Sequence, residues 1–83
     1  MEVEIGRIAH YFSHIGVAVV DIANGNLNIG DSIHIKGHVT DFAQNVESMQ
    51  AEHQSIEIAK AGQSVGLKVN EHVRENDVVY KVS

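Results

Sequence analysis

The chain reads as a single all-β domain, and three features carry that reading. Apolar residues come in short runs rich in Val and Ile; Gly, Asn or Asp interrupts them at short intervals; no segment keeps helical spacing for three turns. With 83 residues, 43% of them apolar, the chain can bury one compact core and no more. One domain over residues 1–83 is therefore expected.

The elements follow in order. Ile5–Phe12 alternates weakly and ends at Ser13, His14, Ile15 and Gly16, where the glycine permits a bend or bulge. Val17–Ile22 is apolar on both faces, which suits a strand whose outer side is also covered. Ala23-Asn24-Gly25-Asn26 is the clearest turn, because Asn-Gly tolerates the positive φ of a tight hairpin. Leu27 and Ile29 lead to Gly30 and Asp31, and Ser32–His38 then alternates cleanly, with Ile33 and Ile35 on one face and Ser32, His34, Lys36 and His38 on the other. The polar stretch Thr40–Asn45 reads as an interruption, and Val46–Glu52 as the next run. In His53–Gly62, Ile56, Ile58 and Ala59 alternate with Glu57 and Lys60, which fits a loop with a short helical turn or a bent strand, and the loop is the favoured reading. Ser64–Val69 and Asp77–Val82 are the last two strands, joined by the polar connection Asn70–Asn76.

Six strands at this spacing make a barrel or a sandwich. Proline is absent, so it protects no sheet edge, and closure into a barrel is the simpler way to hide the edges.

Composition narrows the function. There is no cysteine, so neither a disulfide framework nor a thiolate metal site is available. The formal charge is −5, and Arg7, Lys36, Lys60, Lys68, Arg74 and Lys81 are scattered, which disfavours tight nonspecific binding to nucleic acid. Protonating all six histidines would bring the sum from −5 to +1. No signal peptide or spanning segment is visible, so a cytoplasmic protein without membrane contact is expected.

The string Gly16–Ile35, with Val19-Val20, Asn24-Gly25, Leu27, Ile29-Gly30-Asp31 and Ile33, resembles the strand-turn-strand core of elongation factor domain 2. Val46-Glu47-Ser48-Met49, Glu52-His53, Ala61-Gly62-Gln63-Ser64-Val65-Gly66 and Val69 resemble the same family, as do Val73-Arg74 and Asp77-Val78-Val79 at its closing strand. The resemblance implies a six-stranded, closed, antiparallel Greek-key barrel. It does not imply GTP hydrolysis, since no phosphate loop of the form GxxxxGK[ST] is present. The family's acidic side chain beside the terminal adenosine of tRNA matches Gln50, a departure that argues against that ligand. The segments HYFSHIGVAVVDI, HIKGHVTDF and VESMQ are also similar to stand-alone elongation-factor-like proteins, and the whole is similar to the C-terminal barrel of collagenase-type peptidases.

No catalytic constellation emerges. Ser13 lies in no nucleophile elbow, and the carboxylate pairs Glu2/Glu4 and Glu71/Glu75 sit in no apolar stretch that would raise a pKa. His10/His14 and His34/His38 are four residues apart, about 13 Å along a strand, too far to share one ion. No metal and no cofactor are expected. The best binding candidate is the polar stripe of His34, Lys36 and His38 joined by Gln50 and His53, which combines donors, a cation and flat rings. Adjacent Tyr11 and Phe12 must face opposite ways, so one is core and the other exposed. Two functions follow: a translation-associated module binding RNA or ribonucleoprotein, or a protein-binding accessory barrel.

Overall fold

In the computed structural model, which describes residues 1–82, every regular element is a strand. They are β1 (Glu2–Phe12), β2 (Val17–Ile22), β3 (Asn26–Asn28), β4 (Ser32–Lys36), β5 (Asp41–Asn45), β6 (Met49–Ala51), β7 (Gln54–Ile56), β8 (Ile58–Lys60), β9 (Ser64–Lys68) and β10 (Val78–Val82). Eight of them form one antiparallel sheet in the order β5-β4-β10-β1-β2-β9-β6-β7, and β3 pairs with β8 in a second, two-stranded sheet. Among the described residues no helix is long and apolar enough to cross a membrane.

Alternation places the core. Ile33 and Ile35 on β4, Val65 and Leu67 on β9, and Ala18, Val20 and Ile22 on β2 all turn inward and are buried, together with Ile8, Leu27, Met49, Ala59 and Val79. The eleven-residue β1 is bent by register shifts between Glu4 and Gly6 against β10 and between Ile8 and His10 against β2. Such bulges add local twist, which lets one long strand wrap around the core.

The closed six-stranded barrel is met in part. Among the described residues the strands number ten, and no ladder joins the two ends of the large sheet, β5 and β7. Side-chain bonds span part of that gap. Gln44 on β5 donates from Nε2 to the Lys68 carbonyl on β9 at 2.9 Å and accepts the Asn70 N–H at 2.7 Å.

Three local expectations are corrected. Thr40–Asn45 is no interruption: residues 41–45 form β5, with Phe42 and Gln44 facing in. The presumed loop His53–Gly62 contains β7 and β8. Its entry is a two-residue hairpin turn in which Glu52 and His53 have φ of 52° and 65°. Finally, Asn24-Gly25 does not close a hairpin between β2 and β3. Gly25 has φ of 65°, and the turn sends the chain away so that β3 can pair with β8.

Candidate functional site

Of the five residues of the polar stripe, the structure brings two together. His34 and Lys36 leave the outer face of β4, and Glu2 reaches them from the start of β1. The His34 ring is held from both sides: its Nδ1 lies 2.6 Å from Glu2 Oε2, and its Nε2 bonds Asp41 Oδ1 on β5. Lys36 Nζ lies 3.5 Å from Glu2 Oε1 and 5.6 Å from the centre of the Tyr80 ring. His38 is exposed in the turn between β4 and β5. Gln50 lies on β6 and His53 in the β6–β7 turn, with β10, β1, β2 and β9 standing between β4 and β6 in the sheet.

The two carboxylates sit on opposite edges of one imidazole, so they cannot converge on a common ion with it. Among the described residues no group of three His, Asp or Glu side chains is placed to hold a metal. The arrangement instead favours an imidazolium that donates to both neighbours. Hydrogen bonds to Glu2 and then Asp41 raise the His34 pKa, and the same bonds from His34 lower both carboxylates.

A pH dependence follows. The raised histidine contributes stability fully below about pH 6.5, and that contribution is lost as pH rises through its folded pKa. The lowered carboxylates contribute above their ordinary range near pH 4, and lose it as pH falls through their folded values. The clasp is therefore strongest in mildly acidic solution. Thermal unfolding should show the midpoint declining from pH 6 to pH 8, and His34→Gln should flatten that decline; an identical slope in the variant would remove His34 as its source.

The expectation for the aromatic pair is met: Tyr11 packs against the core, and Phe12 is 46% exposed. Phe12 stands edge-on to His10 with centroids 4.4 Å apart, and His10 in turn lies 3.4 Å from Glu75.

A groove beside Gln50 is not legible in the sequence as a site. Ile15, Val17, Ser48, Gln50, Gly66 and Lys68 line a cavity of about 290 Å³ on the outer side of β2, β9 and β6. Gly66 pairs with Val19 on one side and Gln50 on the other, and its missing side chain opens the groove. Ile15 is 65% exposed at the lip. The available signal was Gly66 itself, since a glycine inside a strand marks a close approach of something else.

With this geometry in view, the chain's relatives are proteases. It is 42% identical over 80 residues to an uncharacterized protease of Methanocaldococcus jannaschii and 40% identical over 81 residues to a collagenase of Porphyromonas gingivalis. These matches take in 95% and 96% of the chain but only 19% and 20% of the relatives, so the chain spans about a fifth of their length. No protein-family model matches. Among solved structures, the fold is that of the C-terminal domain of a Geobacillus thermoleovorans protein assigned as a U32 peptidase. The TM-score is 0.88 at 22% identity, covering 95% of this chain and 91% of that domain. Of the resemblances read from the sequence, these matches fall on the peptidase side.

Proposed function

We propose that the chain is a non-catalytic accessory module of the collagenase-type peptidases, binding protein through the outer face of β2, β9 and β6. The observation that carries this reading is the near end-to-end correspondence with the C-terminal domain of the Geobacillus thermoleovorans protein, alongside the protease sequence relatives. The same reading takes the curled sheet as a domain 2-type barrel whose seam is bridged by side chains. An RNA-associated role would rest on His34, Lys36, His38, Gln50 and His53. It draws less support, because Lys36 and His34 already face carboxylates and the net charge is −5.

The test uses the Porphyromonas gingivalis collagenase from which the segment matching this chain has been deleted. The purified chain, immobilised, should bind that truncated protein saturably and show no hydrolysis of gelatin alone. Binding of tRNA at low salt without binding of the truncated collagenase would overturn the reading. Hydrolysis by the isolated chain would overturn its non-catalytic part.

A further inference from the structure

We propose that the groove between β2, β9 and β6 takes the free C-terminus of an extended peptide, Lys68 pairing with the terminal carboxylate while Ile15 and Val17 receive the last apolar side chain. The inference rests on the protein-binding reading above and names the ligand class of the same face.

Four features support it. Lys68 takes part in no ion pair among the described residues, whereas Lys36 and Lys81 face Glu2 and Asp31. Its ammonium is thus available at a groove with no acidic lining residue. The backbone of Lys68 is fixed by pairing with Val17 and by the Gln44 bond to its carbonyl, so the cation leaves a rigid element. Gly66 offers no side chain at the floor, which lets a peptide backbone approach β9 closely. Among the described residues Gln50 and Ser48 make no side-chain hydrogen bond, and they supply donors and acceptors for the last peptide units.

Charge and size choose between peptide and nucleic acid. One cation matches one terminal carboxylate, while a nucleic acid brings a phosphate with every nucleotide and needs several cations for its affinity. A cavity of about 290 Å³ is at the small end for ligand sites, which suits one or two terminal residues.

The probe is a short fluorescein-labelled peptide ending in Leu, prepared as free acid and as C-terminal amide, with a labelled RNA oligonucleotide in parallel. Fluorescence anisotropy should show the acid binding roughly tenfold more tightly than the amide, the loss expected for one charge-assisted hydrogen bond. Lys68→Met should erase that preference. Gly66→Ala should weaken both peptides by narrowing the floor; the added Cβ meets Val17 Cγ1 at 3.4 Å and the Gln50 carbonyl at 3.8 Å, ordinary contact that the strand accommodates. Circular dichroism of both variants checks the fold. Equal binding of acid and amide, no saturation up to millimolar peptide, or binding of the RNA in place of the peptides would each overturn the inference. If the truncated collagenase still binds when the peptides fail, the groove assignment falls while the accessory reading stands; if neither binds, both fall.

Discussion

Gly6→Ala is expected to lower the thermal midpoint by roughly 10–25 °C, the shift that about 3 kcal/mol produces in a domain of this size. Gly6 is buried on β1 between its two bulges, where it pairs with Ile22 of β2. A Cβ there would collide with the carbonyl oxygen of Asp21, and it would also lie 3.1 Å from the Asp21 carbonyl carbon and 3.3 Å from Ile22 Cα. All three obstacles are backbone, so no side-chain rotation relieves them and the strands must part. β1 and β2 lie at the centre of the large sheet, which means the strain spreads into the pairings with β10 and β9. A loss of about 3 kcal/mol is a large share of a stability that is typically about 5–15 kcal/mol. Thermal and urea unfolding followed by circular dichroism measure it, with Gly66→Ala as control because its Cβ has ordinary clearance. A midpoint for Gly6→Ala close to that of the control would mean that the bulge relaxes at little cost.

Gly6 also marks a boundary of what could be read from residues alone. Strands β4 and β9 were legible because each buries every second residue, so the inward Ile, Val and Leu positions stand out, and β2 and β10 were legible as short Val-rich runs. β5 was not, because one of its two inward residues is Gln44, and a buried amide breaks the apolar pattern while obeying the strand period. β7 and β8 have three residues each, too few for a periodic signal, and the turn before β7 uses Glu52 and His53 where Asn-Gly would have announced it. Asn24-Gly25 did announce a turn, but turn chemistry fixes local geometry and not the distant strand, β8, that β3 finds. The candidate site divides the same way. The wet face of β4 was visible, yet the partners of His34 come from residues 2 and 41, and only the fold brings them to its two ring nitrogens. The groove depends on the absence of a side chain at Gly66, between strands β2 and β6 that are remote in sequence.

The same buried amide that hid β5 gives the second large effect. Gln44→Leu keeps the approximate shape and removes the two bonds that Gln44 makes across the seam: the Lys68 carbonyl loses its donor and the Asn70 N–H loses its acceptor. Each stranded group costs about 1–3 kcal/mol when water cannot replace the partner, so a loss of about 2–4 kcal/mol is expected. The apolar substitute recovers some of this through packing, since Gln44 is only 8% exposed. Hydrogen exchange separates the two contributions. With the amide gone, the Asn70 N–H should exchange much faster than in the parent, ahead of the amides of β1 and β2 at the centre of the sheet. Unchanged protection of Asn70 would mean that core packing alone holds the ends of the sheet together. The consequence reaches the groove as well, because the carbonyl that Gln44 holds belongs to Lys68, the residue assigned to the peptide carboxylate. A loosened seam should therefore lower the affinity of Gln44→Leu for the free-acid peptide while the variant stays folded, tying the closure of the sheet to the placement of its cation.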